Sequence, residues 1–264
     1  MEPGTTEPDR NVNLPRVVSR DEWLAARVEL LAEEKALTRA RDAVNTRRRS
    51  LPMVRIDKEY LFTGPHGEAR LPDLFEGRRQ LIVYHFMFDP GWDAGCRSCS
   101  LTVDGIGHLA HLHARDTTLA LVSRAPFGAI EAYRARMGWQ IPWYSSYGGD
   151  FNHDFHVTLD ESVAPIFYNY RTRAEHERAG APWYTGAELR EIHGVSVFLR
   201  DRRDGAVFHT YSTYARGTDL LTATYNWLDL TALGRQEDWE SPPGRGDGPF
   251  MSWVRRHDEY GPDA

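Results

Sequence analysis

Three consecutive stretches decide the fold: Gln80-Leu81-Ile82-Val83-Tyr84-His85-Phe86-Met87-Phe88, then Asp89-Pro90-Gly91-Trp92-Asp93-Ala94-Gly95, then Cys96-Arg97-Ser98-Cys99. The first is a short apolar run rich in branched and aromatic side chains, which suits a buried strand. The second is a turn-rich loop. After the cysteines the pattern becomes helical through about residue 113, and Leu119-Ala120-Leu121-Val122 reads as another buried strand. Strand, helix, strand at this spacing predicts a parallel pair joined by a right-handed crossover. A Cys-x-x-Cys between strand and helix has the layout of a thiol-disulfide centre. Cys96 and Cys99 are the two cysteines of the 264-residue chain.

Outward from this unit, Val54 to Phe62 alternates with period two, and Gly64-Pro65-His66-Gly67 reads as the turn of a leading hairpin. Leu71 to Phe75 predicts a short helical turn. Downstream, a helix is expected over Phe127 to Met137, then an aromatic, turn-rich segment from Trp139 and an irregular insertion over 161–192. Val195–Leu199 and Ala206–Tyr211 flank Asp204-Gly205 as a hairpin. A final helix spans about Asp219 to Leu228. At the other end, Ser19 and Glu22 form a capping box. Trp23, Ala26, Leu30, Leu37, Ala40 and Val44 then make one apolar stripe, and Arg47 to Arg49 close that helix before Pro52. The arginines are a candidate anion patch or simply a solvated helix end. The expected organisation is a tail over 1–17, a helix over 18–52, a domain over 53–230 and a C-terminal tail over 231–264, loosely packed from Ser241. The element order is that of an α/β thioredoxin-like fold, a mixed sheet flanked by helices. The leading hairpin matches the peroxiredoxin-like variant, and the first helix is an N-terminal extension.

Composition narrows the function classes. Hydrophobic residues make up 41% of the chain, charged residues 27%, and the net charge is −6. That is a globular profile without a basic field for nucleic acid or anionic lipid. No stretch approaches the roughly 20 apolar residues of a membrane span. The N-terminus lacks the basic and apolar regions of a signal peptide. A cytoplasmic protein is expected, where a lone cysteine pair is reactive or metal-binding rather than a structural staple.

Long stretches of the chain resemble the DUF899 family, thioredoxin-like proteins described as predicted dithiol-disulfide oxidoreductases. They include Glu22-Trp23-Leu24-Ala25-Ala26-Arg27, Tyr84-His85-Phe86-Met87-Phe88 with Gly95-Cys96-Arg97-Ser98-Cys99, and Val122-Ser123-Arg124-Ala125-Pro126. Others are Arg136-Met137-Gly138-Trp139 through Asp154-Phe155, Val197-Phe198, Phe208 through Gly217, and Trp253 through Tyr260. The resemblance covers nearly the whole chain. It implies the thioredoxin-like fold and a thiol redox activity.

The residues themselves point the same way. A helix N-terminus stabilises a thiolate through its dipole and free N–H groups, and Arg97 adds a cation. Cys96 is therefore the candidate nucleophile and Cys99 the resolving thiol, with a thiol or disulfide substrate and no organic cofactor. Two features run against the usual pattern. His193-Gly194-Val195-Ser196 stands where the thioredoxin fold places a cis-proline, and acidic Asp93 precedes Cys96 and would raise its pKa. Arg97, Arg124, Trp92 and Tyr211 are the candidate substrate-binding residues. The alternative is a Cu or Zn site built from Cys96, Cys99, His85 and His209. His108, His111 and His113 lie two to three helical turns beyond Cys99, too far to join it unless the helix breaks at Gly105 or Gly107. A third reading is a non-catalytic small-molecule binding module walled by aromatics. The striped first helix leaves a homo-oligomer open.

Overall fold

A computed structural model describes residues 13–180, 190–243, 245–246 and 248–261. Residues 51–223 together with the segment from Arg255 form one compact unit, and residues up to Ser50 together with 224–254 form the other.

The first unit contains an eight-stranded sheet. Its strands are β1 (Val54–Arg55), β2 (Leu61–Gly64), β3 (Gly67–Arg70), β4 (Gln80–His85), β5 (Thr117–Ser123), β6 (Trp143–Ser145) and, further along, β11 (Gly194–Arg200) and β12 (Val207–Tyr214). They lie in the order β1-β12-β11-β4-β5-β6-β2-β3. The crossover from β4 to β5 contains helices α2 (Arg97–Asp104) and α3 (Ala110–His113), and α4 (Phe127–Arg136) follows β5. β4 and β5 are parallel, β11 is antiparallel to β4, and β12 is antiparallel to β11. This βαβα unit with a returning hairpin, in the order β12-β11-β4-β5, is the thioredoxin-like core. The leading hairpin β2–β3 joins the sheet's far edge through β6, where Thr63 pairs with Ser145.

The central strands are covered on both faces, so they read as continuous apolar runs rather than alternating ones. Leu81 and Val83 of β4, with Ala120 and Val122 of β5, pack into a layer with Leu74, Phe75, Phe151 and Phe155. Tyr84 and Leu121 face the other layer with Phe86, Cys99, Val103, Ile130, Tyr133 and Trp143. The cysteine pair belongs to the second layer.

Two expectations change. The helix after the cysteines does not run to residue 113 but ends at Asp104 with Gly105 as its C-cap. The insertion is not irregular where it is described. Among its described residues it contains β8 (Phe167–Tyr168), β9 (Arg171–Thr172), α6 (Arg173–Arg178) and β10 (Arg190–Glu191), and α5 (Phe151–Asp154) and β7 (Thr158–Leu159) lead into it. Val157, Leu159, Ile166, Tyr168 and Ile192 close a small core of their own around Tyr214. Residues 181–189 of that insertion lie outside the described residues.

The second unit holds α1 (Arg20–Arg49), whose Ser19–Glu22 capping box is formed as expected, and most of α7 (Ala223–Leu228). Its C-terminal stretch is better anchored than its Pro- and Gly-rich composition suggests. Arg235 makes a bidentate pair with Asp229 at 2.7 Å and 2.7 Å and lies 4.0 Å over the Tyr225 ring. Buried Glu237 accepts from the indole N–H of Trp239 at 2.7 Å and of Trp253 at 3.0 Å.

Candidate redox site

The loop from β4 to α2 is fixed before it reaches the cysteines. Phe86 N–H extends the β4 ladder to the Val122 carbonyl at 3.0 Å, and Cys96 N–H donates to the Met87 carbonyl at 3.1 Å. Gly95 is required by close approach. A Cβ there would stand 2.6 Å from the Phe86 ring and 2.8 Å from the Tyr133 ring. Gly95→Ala should therefore cost about 1–3 kcal/mol in urea unfolding, because either an aromatic ring or the cysteine loop must move. An unchanged unfolding midpoint would contradict this packing.

Cys96 is the N-cap of α2 and Cys99 sits one turn on; both are free thiols, Cys96 half-buried and Cys99 buried. The Cys96 thiol is lowered to about 6. The Cys99 S–H donates to its sulfur, as do the Cys99 N–H and the hydroxyl and N–H of Ser98, and together they outweigh its partial burial. Burial pushes the Cys99 thiol well up, and the sharing with Cys96 pushes it further. Tyr84 donates toward Cys99. Arg97 and Asp93 are both exposed, so helix-terminal donors rather than either charge set the Cys96 acidity.

A second set of contacts braces the loop from behind. Arg256 donates to the Gly95 carbonyl at 2.7 Å and to the Tyr133 hydroxyl at 2.9 Å. The Ser100 hydroxyl donates to the Cys96 carbonyl at 2.8 Å, so at the 2.8 Å Ser100–Tyr133 contact Tyr133 is the donor. The polarity thus runs Arg256 to Tyr133 to Ser100 to Cys96. Sequence reading missed Tyr84, Ser100, Tyr133 and Arg256. It had also placed Arg256 in a loosely packed tail, whereas the part-buried hydrogen bonds of its guanidinium return that segment to the cysteine loop.

The other candidates spread out. Trp92 is 40% exposed on the loop. Arg124, just past β5, is held by the buried Glu191 carboxylate at 2.8 Å, with Asp89 of the cysteine loop 3.8 Å away. Burial raises Glu191 to about 7 against the pull of Arg124 and the Thr158 hydroxyl. Tyr211 is paired with Val197, on the same sheet face as Cys99 but two strands from β4, roughly 10 Å across the sheet. At the position expected for a cis-proline, the His193 imidazole meets Thr218 at 3.1 Å, and a Cβ on Gly194 would lie 2.7 Å from the Tyr214 ring.

The alternative metal set is not brought together. Side chains alternate across a strand, so His85 shares the face of Leu81 and Val83, opposite Tyr84 and Cys99. His85 stacks on Phe155 with ring centroids 6.0 Å apart, and His209 lies 5.4 Å from the same ring. Instead of ligating, the two imidazoles end a buried chain. His85 Nε2 meets Ser196 Oγ at 2.8 Å, Ser196 meets Ser212 at 2.8 Å, and Ser212 meets His209 Nε2 at 2.8 Å. The break at Gly105 does not bring His108, His111 and His113 into a ligand set either. Among the described residues, no group of three or more His, Cys, Asp or Glu side chains is arranged to hold a metal ion.

Comparison with known proteins gives a family model described as "Bacterial protein of unknown function (DUF899)", which matches residues 12–260. No functionally curated protein matches the chain. Among solved structures, a cysteine-to-serine mutant of Xanthomonas campestris peroxiredoxin Q is 13% identical, covering 63% of this chain and 90% of its own, with a TM-score of 0.37. Peroxidoxin BcpB from Mycobacterium tuberculosis is 14% identical, covering 66% and 94%, with a TM-score of 0.38. A putative thiol:disulfide interchange protein DsbE from Chlorobium tepidum is 11% identical, covering 66% and 94%, with a TM-score of 0.35. No described helix is long and apolar enough to cross a membrane.

Proposed function

The chain belongs to the DUF899 family, and we propose that this member is a thiol-disulfide oxidoreductase that cycles Cys96 and Cys99 between dithiol and disulfide. One observation carries the reading: a half-buried thiol at the α2 N-terminus is lowered to about 6 beside a buried thiol that is raised. Each acidity suits a different step.

Cys96 thiolate attacks one sulfur of a substrate disulfide. A Cys96–substrate mixed disulfide forms, the substrate S–S bond breaks, and the departing thiolate takes a proton from solvent. Cys99 then gives up its proton and attacks the Cys96 sulfur. The Cys96–Cys99 bond forms, the mixed disulfide breaks, and the second substrate thiol leaves. Two electrons and two protons pass from the protein dithiol to the substrate, and an external dithiol reverses the cycle. The raised pKa of Cys99 keeps it protonated while Cys96 waits as a thiolate. The hydrogen bond from Tyr84 then stabilises Cys99 as it ionises. Cys96, partly accessible and followed in the chain by exposed Arg97, is the sulfur a substrate reaches, while Cys99 is enclosed.

Thiol counting on protein equilibrated at graded dithiothreitol ratios tests the proposal. A reversible two-electron couple is expected, and it should vanish in Cys99→Ser. Two free thiols at every ratio would overturn it.

A further inference from the structure

Helix α1 is 30 residues long, about 45 Å at 1.5 Å per residue, and none of its residues is buried. In proteins most of a helix's stability comes from the packing of its apolar face rather than from propensity. That face is regular. Trp23, Leu30, Leu37 and Val44 recur every seven residues and are 49%, 50%, 71% and 52% exposed. A strict seven-residue repeat is the spacing of a two-helix seam.

The charges along the helix say which way a partner helix must run. Residues 20–34 carry five carboxylates against two arginines, net −3, and residues 35–49 carry six cations against one carboxylate, net +5. A second copy laid parallel would set like halves against each other. Laid antiparallel, it sets the acidic half on the basic half at both ends. Antiparallel pairing about a two-fold axis near the helix centre also places Trp23 against Val44 and Leu30 against Leu37. The seam is thus self-complementary in both shape and charge, as an isologous interface requires. Two faces about 45 Å by 10 Å cover roughly 900 Å² together, just under the roughly 1,000 Å² of a stable specific interface, which suits a weak dimer.

We propose that α1 is a dimerisation element, in which two copies of this chain pair α1 against α1 antiparallel through the Trp23, Leu30, Leu37 and Val44 seam. Nothing in this depends on the chemistry of Cys96 and Cys99.

The test is the solution mass of the full chain by light scattering at 1–100 μM. The protomer is 30.2 kDa, and a doubled mass is expected at the upper concentrations. Leu37→Glu should return it to the protomer mass. Glu29→Lys with Glu33→Lys, and separately Arg41→Glu with Arg47→Glu, should each shift the dissociation midpoint at least tenfold. Mixed one to one, the two double variants should dimerise more tightly than either alone, because an antiparallel heterodimer sets the intact basic half of one on the intact acidic half of the other. The alkylation midpoint of Cys96 serves as a folding control and should stay constant throughout. A wild-type protomer mass at 100 μM overturns the proposal, as does a dimer indifferent to Leu37→Glu. A mixture of the double variants that dimerises no better than either alone overturns the antiparallel arrangement.

Discussion

Alkylation of Cys96 by iodoacetamide will titrate with a midpoint of about 6, and the alkylation of Cys99 will remain far slower over the same range. At pH 7 about nine-tenths of Cys96 is then thiolate, against a few per cent for an ordinary cysteine. The cause is local and testable. Cys99 donates through both its thiol and its backbone N–H, and replacement by alanine removes only the thiol. Cys99→Ala should therefore raise the midpoint by about one unit while leaving the helix-terminal donors in place. Cys96→Ser should abolish the fast alkylation and lower turnover of any disulfide substrate by at least about a thousandfold, since the remaining thiol, Cys99, is buried. A wild-type midpoint of about 8.5, that of an ordinary thiol, would sink the assignment of Cys96 as nucleophile.

The second large effect concerns stability. Burial, with the nearby His209, lowers His85 to about 3. Its Nδ1 is buried with no hydrogen-bond partner, so a second ring proton would have nowhere to go. In the unfolded chain the same imidazole binds a proton near pH 6.5. Below that pH the unfolded state takes up a proton that the native state refuses. The contribution is present in full above about pH 6.5 and is lost as the pH falls toward 3, at about 1.4 kcal/mol per unit. Between pH 7 and pH 4 it amounts to about 3 kcal/mol. Urea unfolding of the wild type and of His85→Gln should show the gap between them at pH 7 shrinking by that amount at pH 4. Groups common to both proteins cancel in the difference. Parallel pH curves would mean that His85 is not held neutral.

How far the site was legible depends on sequence distance. Gly95, Cys96 and Cys99 are neighbours in the chain, and the change from strand to helix pattern around them puts Cys96 at a helix terminus before any contact is known. The Ser19–Glu22 capping box and the β11–β12 hairpin are legible for the same reason: their partners lie within a few residues. His85 shows where this ends. The strand was visible, but both faces of β4 are covered, so the apolar run carries no alternation to say which face a residue takes. The expected metal set therefore joined His85 to cysteines on the opposite side of the sheet.

The sequence by itself determined the central strands, the placement of the cysteine pair at the start of α2, and the seven-residue stripe of α1. Each is a statement about periodicity or near neighbours, and both follow directly from backbone geometry. Only the tertiary structure decided what tunes and braces the redox pair. Tyr84 approaches from β4, Tyr133 from α4, and Arg256 reaches Gly95 from 161 residues further along the chain. A hydrogen bond of that range leaves no local pattern. Its partners are chosen by how the sheet layers pack, so the Cys-x-x-Cys announced a candidate site while the fold around it set the acidity of its two sulfurs.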